Sequence, residues 1–396
     1  MPRAVYVLAL GIFAMVTSEF AVAGLMPEMA EGLDATVPQI GYLITAFAVA
    51  MSAGGPFMAA AVRRAGPKRA LMVLFAVFLA GNVLAASAPS YPVMVVARVI
   101  TGIASQAFFG VAVSLTVRLA RPEARGRALA VVMNGLMVGT LLGLPLATLI
   151  GERLGWRAAF WAVGGLALLA AAATLAGVPG AGPAGEGGGT SVREELRVLA
   201  RPRMWLVLST STLIIGATFS AFSYLNPILT RVTGFGAAVV PLLLVAYGAA
   251  TVAGNTVVGR LADRRTVGVQ VAGLALNAVF LAGFALSAGE RVPAVLFMLG
   301  IGFVGVTMNP AMGVRVQRAG GTGPLVNTVH TSFITLGVII GSLVGGVAID
   351  AFGLRAPLWL GAGLAVLGLA TLAPERARRR AAPVPEPESG RAALTA

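Results

Sequence analysis

Long runs of uncharged residues constrain this chain more than any other feature of its sequence. Stretches such as Ala4 to Met26 and Ala356 to Ala373 carry almost no charge. An α-helix rises about 1.5 Å per residue, so about 20 such residues are enough to cross a bilayer. Hydrophobic residues make up 58% of the chain and charged residues 11%, which is too apolar for a soluble domain. The sequence therefore predicts an all-α protein with several membrane-spanning helices.

A hydropathy reading divides the chain into twelve apolar spans in two groups of six. Their predicted ranges are 4–26, 38–62, 70–88, 92–117, 128–151, 158–178, 204–229, 237–259, 267–288, 292–314, 325–349 and 356–374. An N-terminal six-helix bundle is thus predicted over residues 1–178 and a C-terminal one over 204–374. Residues 179–203, rich in Gly and Pro and then charged, are typical of a cytoplasmic linker. The composition of residues 375–396 predicts a disordered cytoplasmic tail.

Basic residues indicate how the spans are oriented, because short cytoplasmic loops carry the excess of Lys and Arg. With a cytoplasmic N-terminus, 23 of the 29 Lys and Arg residues fall in cytoplasmic segments, five fall outside, and Arg98 lies within a span. Both termini are therefore expected in the cytoplasm.

The composition also excludes several kinds of chemistry. Because the chain has no Cys and a single His, it cannot form a disulfide, a thiol nucleophile, a Cys-based metal site or a His-cluster zinc site. Its one lysine, Lys68, does not belong to a GxxxxGK[ST] phosphate loop, so ATP is not expected as the energy source. The net charge of +14 is spread over loop ends as a topology signal, which argues against nucleic-acid binding. No cofactor or metal is expected.

The two halves repeat each other. Gly139 and Arg157 recur 198 residues later as Gly337 and Arg355, and further glycines follow the same offset. Six spans separate the copies, an even number, so the copies have the same orientation in the membrane. Such halves are related by a pseudo-two-fold axis along the membrane normal, with a substrate cavity expected between them near the midplane.

Three motifs resemble those of a known family. The segment ARVITGIA on the fourth span holds Arg98 and Gly102, and NGLMVGTLLGLPLATLIG on the fifth holds glycines four residues apart. The loop AVRRAGPKR and its second-half copy GRLADRR combine glycine with basic residues. Together with the opening segment MPRAVYVLALGIFAMVTSEFAVAGLMPEMA, these motifs resemble the twelve-helix drug:proton antiporters of the major facilitator superfamily. The resemblance covers essentially the whole chain and is strongest to chloramphenicol-efflux proteins and their arabinose-efflux-related relatives.

The resemblance implies roles for several residues, the first of which is proton transfer at Arg98. It places the glycines and proline of the exporters' antiporter motif at Gly135, Gly139, Gly143 and Pro145. It places the family's cytoplasmic gate at Arg64, Gly66, Gly259, Asp263 and Arg264. The first copy of the gate has Arg63 where the family has an acid, so a gating acid is expected only at Asp263. Independently of the family, glycines four apart let a neighbouring helix approach closely, either as a static contact or as a sliding one.

Glu19 and Arg98 are the charged residues that lie well inside the predicted spans. An ionisable group at membrane depth is costly and usually serves transport, proton movement or a counter-ion. Counted from the outer ends of their spans, both residues are expected roughly 10 Å below the outer surface, where they could face each other. Burial favours the protonated acid, whereas a nearby arginine favours the carboxylate. A changing distance between the two would therefore couple protons to transport, and a fixed ion pair is the alternative.

Other polar residues inside the spans are candidates for hydrogen bonds to a substrate. They are Asn134, Tyr224, Asn226, Asn309 and His330. The alternative for each Asn is a hydrogen bond between helices. His330 could instead take part in proton coupling, since imidazole titrates near physiological pH.

Taken together, the sequence predicts a monomeric, proton-coupled exporter in the bacterial inner membrane that works by alternating access and expels small neutral drugs, chloramphenicol-type ones first. The partners expected are the substrate, protons and the lipid bilayer. The same architecture could carry a sugar or an endogenous metabolite. A non-transporting membrane sensor or scaffold would not need Glu19, and a membrane enzyme would need a cluster of catalytic groups that the sequence does not show.

Overall fold

The structure is a computed structural model that describes residues 3–62, 65–121, 124–179, 197–321 and 324–381. Twelve helices in these ranges are long and apolar enough to cross a membrane. They are α1 (Arg3–Gly24), α2 (Val37–Val62), α3 (Pro67–Ala86), α4 (Tyr91–Leu119), α5 (Arg125–Leu154), α6 (Trp156–Gly177), α7 (Pro202–Phe222), α8 (Ala237–Ala262), α9 (Arg265–Ser287), α10 (Arg291–Gly320), α11 (Pro324–Phe352) and α12 (Ala356–Ala381). The twelve predicted spans are confirmed, with ends that differ by a few residues.

Two helices depart from regular geometry. The backbone at Arg265 is non-helical (φ −132°, ψ 41°) and marks the boundary between α8 and α9. α10 is interrupted at Gly305, after which a 3₁₀ turn, Val306–Met308, leads into its second segment. The break turns Thr307 and Asn309 towards the space between the two halves.

The two halves have the same helix pairings, which confirms the predicted repeat. α1 packs on α5 and α6, and α7 packs on α11 and α12 in the same way. α2 packs on α4, and its counterpart α8 packs on α10. The halves meet each other chiefly where α2 contacts α11 and where α5 contacts α8. The result is two six-helix bundles related by a pseudo-two-fold axis.

The turns after α5 and α11 illustrate why the repeat needs particular residues. Gly155 and Gly353 have φ values of 83° and 78°, a conformation that L-residues with side chains rarely adopt, and each ends its helix. The next turn holds an arginine in both halves. Arg157 donates a hydrogen bond to the carbonyl of Ala88 at 3.0 Å, and Arg355 lies against Gly289 in the matching loop.

The helix bundle has two ends, one on each side of the membrane. Because the number of spans is even, α1 begins and α12 ends on the same side. We call this side the termini face and the other side the opposite face. The last helix continues to Ala381, so the segment predicted as a tail from residue 375 begins inside a helix. The rest of that tail, and most of the predicted linker, lie outside the described residues.

Candidate transport site

A cavity of about 530 Å³ lies between the two halves. Its walls come from α1, α2, α4 and α5 of the first half and from α7, α8, α10 and α11 of the second. Most of the wall is apolar. The polar residues that line it are Glu19, Ser105, Gln106, Thr140, Tyr247, Thr251, Asn255, Thr307, Asn309, Thr331 and Thr335. The central position agrees with the cavity predicted between repeated halves.

Several of these polar groups are already occupied by their own helices. Five hydroxyls donate hydrogen bonds of 2.8 to 3.1 Å to backbone carbonyls one turn earlier. They belong to Ser105, Thr140, Thr251, Thr307 and Thr335. The groups left to bind a substrate are the amides of Gln106, Asn255 and Asn309, the hydroxyl of Tyr247 and the carboxyl group of Glu19. Sequence reasoning missed Gln106 and Asn255, although an uncharged amide in an apolar span is the same signal that identified Asn309.

Glu19 lies at the end of the cavity nearer the opposite face, five residues before α1 ends at Gly24. Its side chain is half-buried, and it is the only charged residue among the described residues that line the cavity. Among the same described residues, no group of three or more potential metal ligands lies together. The chemistry available in the cavity is therefore proton binding at one carboxyl group, surrounded by amides and apolar side chains.

Arg98 lies beside Glu19 but does not line the cavity. Its side chain is 1% exposed and its guanidinium stacks 4.2 Å from the centre of the Phe47 ring. Nη1 donates to the carbonyl oxygen of Ser18 at 2.9 Å, and Nη2 donates to the carbonyl oxygen of Glu19 at 3.3 Å. Among the described residues, no nitrogen of the Arg98 guanidinium lies within 4.0 Å of a carboxylate oxygen of Glu19. Arg98 thus binds the backbone of α1 and leaves the Glu19 carboxylate without an ion pair.

The support for Arg98 extends to a third helix. Ser18 donates from its hydroxyl to Oδ1 of Asn82 on α3 at 3.1 Å, and Nδ2 of Asn82 donates to the carbonyl of Phe78 at 2.9 Å. Ser18 and Asn82 are both fully buried. Among the described residues, Nε of Arg98 has no hydrogen-bond partner. The remaining bonds tie α1 to α3 and α4 and so hold Glu19 in place along the bundle.

On the opposite face the two halves are sealed together. Phe20 packs edge-on against Phe222 of the second half, with ring centres 5.4 Å apart. Behind these rings, the hydroxyls of Thr45 and Ser342 are 2.8 Å apart. Beyond Glu19 the cavity therefore ends at an apolar and hydrogen-bonded barrier. In the direction of the termini face, the lining residue Thr331 is exposed.

Tyr224 and Asn226, predicted to bind substrate, belong to this seal. The Tyr224 hydroxyl donates to the carbonyl of Ser342 at 2.6 Å. Nδ2 of Asn226 donates to the carbonyl of Gly24, at the end of α1, and so ties the second half to the first. Neither residue lines the cavity in this conformation.

Of the other three predicted substrate ligands, one lines the cavity and two do not. Asn309 lines the cavity. His330 is buried beside α7, with Nε2 3.1 Å from the hydroxyl of Ser211. Asn134 is exposed on α5 and is not among the described lining residues. The geometry thus favours Asn309 among the five as a substrate ligand.

The glycines of the antiporter motif lie where α5 meets α1. A side chain at Gly135 would overlap the carbonyl group of Ala9, and Cβ atoms at Gly139 and Gly143 would lie 2.8 Å from Val16 and 2.9 Å from Thr17. Their second-half counterparts Gly337 and Gly341 make the same kind of contact with α7. Pro145 follows this face inside α5. The predicted close helix approach is present in both halves.

The predicted cytoplasmic gate is only partly described. Gly66 precedes α3 with φ of 77°, and Gly259 is exposed on α8. Arg64 lies outside the described residues, and the side chains of Asp263 and Arg264 are likewise not described.

Near these residues on the termini face, Glu375 pairs with Arg315 at 3.2 Å and with Arg203 at 3.5 Å. These ion pairs join the ends of α12, α10 and α7. Sequence reasoning missed them because it placed Glu375 in a disordered tail.

We expect Asn226→Ala to loosen the seal, because it removes a hydrogen bond between the halves. Such a bond contributes about 0.5–1.5 kcal/mol, so the ratio of the two conformations should shift about 2- to 10-fold. The chain has no native cysteine, so a reporter Ala23→Cys beside the seal can be labelled selectively. Its labelling by a maleimide should become faster in Asn226→Ala.

Thr230→Val is the matched control for this substitution, since the Thr230 hydroxyl donates within its own helix turn, to the carbonyl of Asn226. Equal labelling rates in the two variants would show that the Asn226 bond does not hold the seal.

Comparison with known proteins agrees with this architecture. A family model described as Major Facilitator Superfamily matches residues 8–323. A chloramphenicol resistance protein of Streptomyces lividans is 35% identical over 379 residues, covering 95% of this chain and 97% of that protein. A probable sugar efflux transporter of Helicobacter pylori is 28% identical, covering 92% and 93% of the two chains. Among solved structures, a bacterial homologue of the human lysosomal transporter Spinster, in an inward-facing and unoccupied conformation, superposes with a TM-score of 0.76 at 15% identity, covering 97% and 99%.

Proposed function

The chain belongs to the major facilitator superfamily, and from that premise we propose that it is a proton-coupled exporter of small neutral drugs of the chloramphenicol type. It is a multi-pass membrane transporter and not an enzyme. The observation that carries the coupling is the position of Glu19, an unpaired carboxyl group at the closed end of the cavity. There it can exchange a proton with whichever side the cavity faces.

The cavity lining favours a moderately apolar substrate. Most hydroxyls in the wall are bonded to their own helices, which leaves three amides, the Tyr247 hydroxyl and one carboxyl group to bind polar atoms. A buried polar group on the substrate without a partner would weaken binding. An amphenicol, with an aromatic ring and a few polar groups, fits such a wall. The protonated form of Glu19 would leave the cavity uncharged, as a neutral drug requires.

Export of a sugar is the second candidate, because one relative is described as a probable sugar efflux transporter. A sugar carries a hydroxyl on nearly every carbon and needs many hydrogen-bonding groups around it. The few unoccupied groups in this cavity make a sugar the weaker candidate.

The energy of one proton is adequate for the proposed transport. A charge that crosses 100 mV releases about 2.3 kcal/mol, which supports a concentration ratio of roughly 50-fold. No ATP, metal or other cofactor is needed for this step. We propose a monomer, since the cavity is completed within one chain.

We also propose that the protein lies in the bacterial inner membrane with its termini face in the cytoplasm. Single cysteines can test this orientation because the native chain has none. A membrane-impermeant maleimide should label Glu290→Cys, at the opposite face, in intact cells. Ala200→Cys, near the start of α7, should react only after the cells are made permeable. The reverse pattern would invert the topology.

The function is tested with everted inner-membrane vesicles, in which the cytoplasmic side faces outwards and export becomes uptake. Respiration acidifies the lumen, and accumulation of labelled chloramphenicol should follow and should collapse when a protonophore is added. Labelled arabinose and ethidium serve as parallel substrates. Proton-driven accumulation of arabinose alone would favour the sugar exporter. Accumulation of ethidium, a cation, alone would overturn the proposal that the substrate is neutral.

We expect Gln106→Leu to weaken chloramphenicol binding about 2- to 10-fold, because an uncharged hydrogen bond contributes about 0.5–1.5 kcal/mol. The substitution keeps the size of the side chain and removes its amide from the cavity wall. Affinity is measured by equilibrium binding to the purified protein. Met51→Leu, another substitution in the cavity wall, is the control, and equal affinities in the two variants would remove Gln106 from the binding site.

A further inference from the structure

A second, smaller pocket lies on the closed side of Glu19. It has a volume of about 10 Å³, enough for one water molecule. Glu19, Phe20 and Phe222 line both this pocket and the large cavity, so the aromatic rings separate the two spaces and the carboxyl group borders each of them. Ser223 lines only the small pocket.

The hydroxyl of Ser223 is an independent sign that this pocket holds a polar molecule. Ser223 is 0% exposed, and among the described residues its Oγ has no hydrogen-bond partner. Buried hydroxyls are nearly always bonded to protein or to ordered water. Rotation about one bond is enough to direct the hydroxyl into the pocket. By contrast, Ser220 one turn earlier donates to the carbonyl of Ala217 at 2.9 Å.

The position of Ser223 connects the pocket to the seal. It directly precedes Tyr224, which is bonded to Ser342, and lies three residues before Asn226, which is bonded to Gly24. When the Asn226–Gly24 bond between the halves breaks, we expect Ser223 to meet solvent from the opposite face. The ionisable side chains around this path include Arg98, bonded to the backbone of α1, and Tyr247, packed on Phe222. Tyr224 follows Ser223 directly, and Tyr42 and Asp350 lie close enough to Tyr224 to interact with it electrostatically.

We propose that the small pocket binds a water molecule between the Ser223 hydroxyl and the Glu19 carboxylate, and that this pair delivers protons from the opposite face to Glu19. The inference rests on the proposed proton coupling. In the transfer, the water gives a proton to a carboxylate oxygen of Glu19 and takes the hydroxyl proton of Ser223. Ser223 in turn takes a proton from a hydronium ion of the opposite-face solvent. The net result is one proton moved to Glu19, with the water and the serine unchanged.

The test compares Ser223→Thr with Ser223→Val, two side chains of the same shape of which only Thr keeps the hydroxyl. Everted vesicles carry a pH-sensitive dye in an acidified lumen, and chloramphenicol is added outside. Proton release from the lumen should be about 2- to 10-fold slower in Ser223→Val than in Ser223→Thr, as expected for one lost hydrogen bond. Exchange of labelled for unlabelled drug without a gradient should be equal in the two variants. Ser220→Ala, which removes an already bonded hydroxyl from the same helix, should release protons at the native rate.

The possible results separate this inference from the function on which it rests. If the native protein releases no protons on addition of drug, the coupling itself is absent and both proposals fail. If the native protein couples but Ser223→Thr and Ser223→Val release protons equally fast, only the water pathway is overturned. Because the two variants have the same shape, a packing defect would slow both equally and would also count against the pathway.

Discussion

Glu19→Gln is expected to abolish proton-driven accumulation of chloramphenicol in everted vesicles. Gln has nearly the size and shape of a protonated Glu, but it cannot take up or release a proton. The drug should still exchange across the membrane without a gradient, because the cavity keeps its shape and its amides. The structure supports this separation, since the Glu19 side chain has no ion pair to lose and Arg98 is bonded to backbone carbonyls that the substitution leaves in place.

The matched control is Glu28→Gln, which makes the same chemical change outside the spans, on the short helix Met26–Gly32. Native accumulation in Glu28→Gln together with none in Glu19→Gln would assign the coupling to the membrane carboxyl group. Accumulation that survives Glu19→Gln would place the coupling site elsewhere. His330 would then be the next residue to replace, although it is bonded to Ser211 and does not line the cavity.

Membrane physics explains why most of the fold could be predicted from the sequence. Inside a bilayer every backbone group must be bonded within the protein, so apolar segments of sufficient length have to be helices. The repeated glycines and arginines also predicted that the two halves have the same fold and orientation. Gly155 and Gly353 are an example, since both need the same unusual backbone conformation. The level of one helix residue relative to another was predictable as well, because residues are counted along a helix of fixed rise. Glu19 and Arg98 do lie next to each other.

The direction in which each side chain points could not be predicted in the same way. Tyr224 and Asn226 have the side-chain chemistry of substrate ligands, yet both lie beyond the end of α7. Tyr224 bonds to Ser342 within the second half, and Asn226 bonds the second half to Gly24 of the first. Arg98 lies beside Glu19 but bonds carbonyl groups of α1 instead of the carboxylate. Both outcomes depend on which helix faces which, and that is set by packing between segments far apart in sequence. Glu375 shows the same limit, because its arginine partners lie on two other helices.

Gly135→Leu is expected to lower the stability of the protein and to abolish transport together. Any side chain at Gly135 meets the backbone of Ala9, which cannot move aside as a flexible side chain would. Overpacking of this kind costs about 1–3 kcal/mol, and a side chain as large as Leu should reach the upper end of that range. The loss should extend to function because α1 also carries Glu19. If α1 is pushed away from α5, the carboxyl group moves relative to the cavity and to Ser223.

Gly165→Leu is the control, since Gly165 is also inside a helix but is exposed on α6 with no neighbouring atom in reach of a new side chain. There the substitution should be neutral or stabilising by up to about 1 kcal/mol, because Leu favours helix over Gly. Thermal unfolding of the purified proteins in detergent and drug accumulation in vesicles measure the two effects. A Gly135→Leu protein that melts and transports like Gly165→Leu would show that the glycine face of α5 is not needed for close packing. A Gly135→Leu protein with native stability but no transport would instead favour a sliding contact between α1 and α5, which the sequence left open beside static packing.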